Sequence, residues 1–266
     1  MSTAILPRLQ RFLAARLSPE GAFGLHLTIG LVLILLTGFV FNQIAEDVVE
    51  GDTITVIDAE LAHWFHARSH EGFTRFMLFI THWNGITGAS IMGVLLACWF
   101  WWRKAHYWLI VSLVAMPGGM LLNVALKHIF RRARPSFDEP LLTLTTYSFP
   151  SGHTAAATVF YGLLACYLLR RVQAWPARLL VMAAATTMVM LVALSRMYLG
   201  VHYLSDVLAA AAEGCAWLTV CVTGVSTLHR HRLLHGKPSW SARMRQGGLD
   251  KHGSENREAG TRRGGR

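Results

Sequence analysis

The sequence predicts an all-α, polytopic membrane protein with six transmembrane helices, and three observations predict it. Only 15% of the 266 residues are charged and 53% are hydrophobic, whereas an ordinary soluble domain carries about 25% charge. Five clear apolar stretches and one interrupted stretch approach the roughly 20 residues that cross a bilayer as a helix. The basic residues between these stretches sort to one side of a membrane. A positive mean hydropathy of +0.38 agrees.

The first stretch runs from about Leu25 to Ile44. It exceeds a signal-peptide core and no small-residue cleavage site follows, so it is expected to stay in the chain. A polar segment follows, about Glu46 to Thr74, in which Leu61, Trp64 and Phe65 could form one face of a helix lying on the membrane. A plain loop fits that segment equally well. The second stretch, Phe76 to Trp102, is interrupted by His82, Trp83, Asn84 and Gly85. The third, Tyr107 to Leu126, contains Pro117-Gly118-Gly119, where a kink is expected. The fourth spans Thr154 to Leu169, the fifth Leu179 to Leu194 and the sixth Tyr203 to Val225.

Beyond Leu228 the chain is basic and Gly-rich without an apolar period, and disorder is expected there. The domain organisation is therefore an N-terminal segment (1–23), a six-helix domain (24–226) and a basic tail (227–266). Cys98, Cys166, Cys215 and Cys221 all fall in apolar runs without metal-ligand spacing, and read as small buried hydrophobes.

A net charge of +10 would suit a nucleic-acid binder, but no nucleic-acid motif accompanies it. Its placement has another source. Arg8, Arg11 and Arg16 precede the first span, Arg103 and Lys104 join the second to the third, and Arg170, Arg171 and Arg178 join the fourth to the fifth. With six spans, these segments and the basic tail share one side, which the positive-inside rule makes cytoplasmic. Lys127, Arg131, Arg132, Arg134 and Arg196 then lie on the opposite side. An anionic substrate bound there would explain positive charge on that side.

Three clusters carry the chemistry on this outer face. Lys127 and Arg134 stand seven residues apart at the end of the third span. They would share a helical face if the helix continued that far, although Pro135 biases Arg134 away from helix. A basic anchor at the membrane edge is the plainer reading. Before the fourth span stand Pro150-Ser151-Gly152-His153. Ser151 is a good N-cap, the helix start would offer N–H groups to an anion, Gly152 lets a ligand approach the backbone, and His153 could move a proton. The third cluster joins Ser195-Arg196 to His202 and Asp206, whose spacing of four makes them neighbours on one helix. A carboxylate bonded to one imidazole nitrogen fixes the tautomer and frees the other nitrogen to attack.

Together, Lys127-x6-Arg134-Pro135, then Pro150-Ser151-Gly152-His153, then Ser195-Arg196-x5-His202-x3-Asp206 resemble the tripartite signature of the type 2 phosphatidic acid phosphatase superfamily. The resemblance implies a metal-independent lipid phosphatase of a bacterial inner membrane, without a cofactor; the basic segments place both termini in the cytoplasm and the site at the outer face. Lys127, Arg134 and Arg196 would hold phosphate oxygens, helped by Ser151 and the amide of Gly152. His202 would attack phosphorus to form a phosphohistidine, Asp206 would orient it, and His153 would protonate the leaving oxygen. Candidate substrates are undecaprenyl diphosphate, phosphatidic acid and phosphatidylglycerol phosphate; the apolar spans carry no readable code for the lipid. The alternatives are a vanadium haloperoxidase, against which six spans argue, and a non-catalytic lipid-phosphate binding or transport protein, which should have lost His202, His153 or Arg196. Glu213, His82 and Asn84 are further polar groups in apolar surroundings, and an ionisable residue inside a span is a candidate for function. Oligomeric state is left open.

Overall fold

The computed structural model describes residues 25–235, and all the regular structure there is helical. The chain separates into two units, 1–227 and 228–266; only the helical beginning of the second, to His235, falls within the described residues. The disorder expected beyond Leu228 is corrected as far as His235, because α8 continues as helix to that residue; the segment 1–23 and the rest of the tail lie outside the described residues.

Eight helices follow in order: α1 (Leu25–Glu50), α2 (Thr53–Ala67), α3 (Glu71–Trp83), α4 (Ile86–Trp102), α5 (His106–Phe130), α6 (Gly152–Leu169), α7 (Trp175–Tyr198) and α8 (Leu204–His235). Five of them, α1 and α5 to α8, are long and apolar enough to cross a membrane. The sixth candidate is the pair α3 and α4, bent by 50° at the break between them. This is the interrupted second stretch, and its break has a local cause. Asn84 caps α3, its side chain donating to the Ile80 carbonyl at 2.9 Å and accepting from the Tyr161 hydroxyl at 3.2 Å. A Cβ on Gly88 would come within 2.0 Å of the Trp83 carbonyl oxygen, so the two helices can meet this closely only because position 88 lacks a side chain.

The core lies between α4, α5, α6 and α8, where Phe100, Val111, Ala115, Leu163 and Tyr167 are buried together. α6 packs against both α5 and α7, and α3 against α7. The exterior is apolar as well. Leu31, Val32, Leu35, Leu36 and Phe39 of α1 are all exposed, which suits a surface solvated by lipid chains.

Four expectations are resolved or corrected here. The segment 46–74 is helical: α1 continues to Glu50 and α2 occupies Thr53–Ala67. Phe65 faces Tyr198 of α7 while Trp64 stays exposed. α5 does not reach Arg134, because it stops at Phe130 with Arg131 left-handed (φ 48°). Pro117 lies inside α5, which stays helical on both sides of it, and nearby the Trp217 indole donates to the Ala115 carbonyl at 3.0 Å. Of the four cysteines only Cys221 is buried. Cys98 and Cys215 lie on helix exteriors, where apolar sequence reflects lipid rather than a protein interior.

Candidate active site

The C-terminal ends of α5 and α7 and the N-terminal ends of α6 and α8 meet at one end of the bundle, and all three clusters converge there. Lys127, on the last turn of α5, donates from Nζ to the carbonyls of Tyr147 (2.8 Å) and Ser148 (3.2 Å). The chain beyond Arg131 is irregular and is pinned to the returning segment: Ser148 N–H donates to the Arg132 carbonyl and its hydroxyl to the Ala133 carbonyl, both at 2.9 Å. Arg134 thus reaches the cluster from a non-helical segment. Its Nε donates to the Thr146 carbonyl (2.6 Å) and its Nη1 to the Val201 carbonyl (2.6 Å), with Nη1 also 3.1 Å from His202 Nε2.

Ser151 occupies the N-cap of α6, but no side-chain hydrogen bond caps that first turn. Its hydroxyl instead accepts from Thr154 at 3.1 Å, and its N–H donates to the Asp206 carbonyl at 3.0 Å, tying α6 to α8. The helix start therefore keeps the character of an anion site. A Cβ at Gly152 would lie 3.1 Å from Asn123 Oδ1 and 3.9 Å from Lys127 Cε. His153 follows on the same turn, its Nε2 3.5 Å from where a Cβ on Gly85 would be, and within Coulombic reach of Arg196, His202, Arg134 and Lys127.

His202 is buried in the turn between α7 and α8. Gly200 shapes that turn with φ +68°. His202 Nδ1 lies 3.2 Å from Asp206 Oδ2, which also accepts from the Tyr203 N–H at 2.9 Å. Burial, followed by the charges of Arg196, Arg134 and Lys127, holds the imidazole well below its ordinary pKa, so the ring is neutral at pH 7. Burial also lowers the pKa of Arg134, with Asp206 opposing; an arginine remains charged regardless.

Arg196 is the most buried of the cations, 1% exposed. Its Nη1 is bonded to the Thr81 hydroxyl of α3, while Nε and Nη2 are buried without a hydrogen-bond partner among the described residues. Within that same set, none of Lys127, Arg134 and Arg196 forms an ion pair with a carboxylate. Three cations at one site without a direct ion-pair partner among the described residues, two guanidinium nitrogens unsatisfied, are costly unless an anion completes them.

Sequence reasoning missed two groups behind this site. Asp58 of α2 is 1% exposed and pairs with Arg132 at 2.8 Å, and Arg132 pairs with Asp206 at 2.7 Å. Burial works against the Arg132 charge, but Asp206 and Asp58 outweigh it and raise its pKa. Thr81, the partner of Arg196, also went unnoticed. Its signal was the interruption of the second span, and that of Asp58 was acidic residues on the same side as surplus arginines. Glu213 is buried in α8, with Oε2 accepting from Asn123 at 2.9 Å and Oε1 lacking a partner among the described residues. It therefore backs the Asn123 that borders Gly152. His82 is exposed.

A family model described as the PAP2 superfamily matches residues 106–230. Phosphatidylglycerophosphatase B of Bacillus subtilis (strain 168) is 36% identical over 116 residues, which make up 43% of this chain and 56% of that protein. The chain thus matches little more than half the length of this curated relative. Among solved structures, a transmembrane PAP2-type phosphatidylglycerolphosphate phosphatase from Bacillus subtilis superposes with a TM-score of 0.60 at 28% identity, covering 73% of this chain and 94% of that one. Aquifex aeolicus LpxE shares the fold, with a TM-score of 0.50 at 22% identity over 62% of this chain and 94% of its own. With the helical fold and the signature residues already in place, these matches make residues 106–230 similar to the PAP2 superfamily and the fold similar to that of a transmembrane PAP2-type phosphatase.

Proposed function

We propose that the protein is an integral membrane phosphatase that hydrolyses a phosphomonoester or diphosphate of a membrane lipid through a phosphohistidine, with no metal or cofactor. The observation that carries this reading is Arg196, a buried guanidinium with two nitrogens unsatisfied beside a neutral histidine. Phosphoryl transfer asks a protein chiefly to position the reactants and to neutralise the equatorial oxygens. Lys127, Arg134, Arg196 and the N–H groups at the start of α6 supply that charge. His202 Nε2 attacks phosphorus as the bond to the lipid oxygen breaks, and His153 protonates that oxygen. Asp206 accepts from Nδ1–H and supports the cation that develops on the ring. Water, deprotonated by His153, then attacks phosphorus, the N–P bond breaks, and inorganic phosphate leaves.

The relatives' names make phosphatidylglycerol phosphate the first substrate to try, with phosphatidic acid and undecaprenyl diphosphate next. The basic segments at the termini and after the second and fourth spans favour a cytoplasmic placement, and so a site open to the periplasmic leaflet of a bacterial inner membrane. There a lipid headgroup can arrive by lateral diffusion. The test is phosphate release from a panel of these lipids by the purified full-length chain in detergent with EDTA present. Activity on at least one, lost in His202→Ala, is expected. No release from any lipid, or equal release by His202→Ala, overturns the reading.

A further inference from the structure

The polar contacts of the nucleophile do not end at Asp206. Asp206 Oδ2 holds His202, whereas Oδ1 accepts from Arg132 Nη1 at 2.7 Å. The same nitrogen donates to the Ser205 hydroxyl at 2.7 Å. The other terminal nitrogen, Nη2, donates to Asp58 Oδ2 at 2.8 Å. The Arg132 guanidinium also lies over the Tyr203 ring, 4.3 Å from its centroid. Asp58 in turn accepts from the Ser205 N–H at 2.9 Å through Oδ1, and from the Ser205 hydroxyl through Oδ2. Ser205 is the second residue of α8, so Asp58 satisfies one of the N–H groups that a helix start leaves without an internal partner. It does so from a different helix, 147 residues away in sequence. An anion at that position is also favoured by the helix dipole.

We propose that Asp58 and Arg132 are positioning residues for the nucleophile. In this arrangement α2 clamps the start of α8, and Arg132, held between two carboxylates, fixes the rotamer and charge of Asp206. This rests on His202 being the nucleophile of the reaction proposed above. The arrangement has an electrostatic consequence. Arg132 alone would draw the charge of Asp206 away from the imidazole, and Asp58 offsets that pull. His202 is also faced by Arg196 from α7, Lys127 from α5, His153 from α6, and Arg134, so the balance among carboxylates and cations sets how basic Nε2 is. A packing role for α2 would not require Asp58 to be ionised; this role does.

The experiment is steady-state kinetics of the full chain in detergent across pH, with active sites counted from the burst of labelled phosphoenzyme. Asp58→Asn is expected to lower kcat per active site by roughly ten- to a hundredfold, as loss of the partners behind a ligating side chain does elsewhere. KM should stay within about threefold, since no phosphate contact is touched. The acid limb of kcat/KM should move to lower pH, because a negative charge has been removed. Arg132→Gln should also lower kcat but move that limb to higher pH. In the double variant the losses should not multiply, the sign of a coupled pair. Should Asp58→Asn fail to fold, the opposite-signed limb of Arg132→Gln reads the same network. An Asp58→Asn protein with kcat within twofold of wild type overturns the inference. So does one with fewer active sites but unchanged kcat per site and pH profile. Wild-type protein that hydrolyses no lipid phosphate overturns the phosphatase reading and this inference with it; an active wild type with an indifferent Asp58→Asn overturns this inference alone.

Discussion

Arg134 Nη1 lies 3.1 Å from His202 Nε2. A guanidinium can only donate, so Nε2 is the unprotonated nitrogen and Nδ1 carries the proton shared with Asp206. The tautomer that the proposed attack by Nε2 would require is thereby held from both edges of the ring. If Nε2 is the attacking atom, rapid quenching of turnover with labelled substrate is expected to trap phosphate on His202 in an acid-labile, alkali-stable adduct. His202→Ala should lose adduct and turnover together; full turnover in that variant contradicts the assignment.

Arg134 is expected to matter as a fork rather than as a charge. Its nitrogens are already committed to Thr146, Tyr147 and Val201, which orient the plane of the guanidinium. Lysine cannot reproduce that planar set of donors. Arg134→Lys should therefore lower kcat/KM by roughly a hundredfold, because the Nη1–H now facing His202 Nε2 is the donor freed for a phosphate oxygen once Nε2 attacks. A variant within threefold of wild type would show that charge alone suffices.

Burial and the three cations keep the His202 pKa well below the ordinary 6.5, and two pH effects follow. The acid limb of kcat/KM that belongs to His202 should lie below about 6.5. Stability should follow the same group: the unfolded chain takes up a proton near its ordinary pKa while the folded one does not, so the contribution is complete above about 6.5 and is lost as pH falls. The substrate's own second phosphate ionisation lies near 6, so melting temperature against pH, measured without substrate, separates the two. His202→Asn should flatten that dependence. An equally steep acid loss in the variant would assign it elsewhere.

If Lys127, Arg134 and Arg196 supply the counter-charge to phosphate, as proposed, metal removal should leave the rate unchanged. Activity is to be measured after dialysis against EDTA; a strict magnesium requirement for the chemical step would contradict this. Vanadate should inhibit more tightly than phosphate, since a five-coordinate vanadate on His202 resembles the transition state.

Two glycines allow a structural test. Gly152→Ala places a methyl 3.1 Å from Asn123 Oδ1 at the mouth of the anion site; it should reduce activity while leaving the melting temperature nearly unchanged. Gly200→Ala should do the reverse in large part. With φ +68° and Phe137 Cε2 only 2.8 Å from the new methyl, it is expected to cost roughly 1–3 kcal/mol of stability. Thermal unfolding in detergent distinguishes the two.

Sidedness is tested with single cysteines after the four native ones are replaced. One at Ser136, an exposed position, should react with an impermeant thiol reagent in intact spheroplasts; one at Ser239 should react only after lysis. The reverse pattern would place the site in the cytoplasmic leaflet.

The helical architecture was legible because apolar length is a local property, read one span at a time. The eight candidate site residues could be proposed from the sequence because each cluster is short and rich in types that bind phosphate, and the structure brings the three clusters to one end of the bundle. Less legible was everything that depends on two distant segments meeting. Arg134 arrives from an irregular segment because Arg131 turns left-handed, and a spacing of seven cannot reveal that. Asp58 lies in the polar stretch 46–74 with no motif around it; its partners, Arg132 and Ser205 of α8, are 74 and 147 residues away. Glu213 stood out as a charge in a span, but its hydrogen bond to Asn123 crosses 90 residues.

The segment from His106 onward contains all eight of those residues, and yet Thr81 and Asp58, which hold Arg196 and Arg132, come before it. A protein engineer who kept α5 to α8 and supplied foreign helices in front would preserve insertion and every reactive group. The chimera would also inherit two arginines whose geometry was set by the discarded half. Transplanting this site therefore means transplanting the α2 carboxylate and the hydroxyl at the bend of the second span along with it.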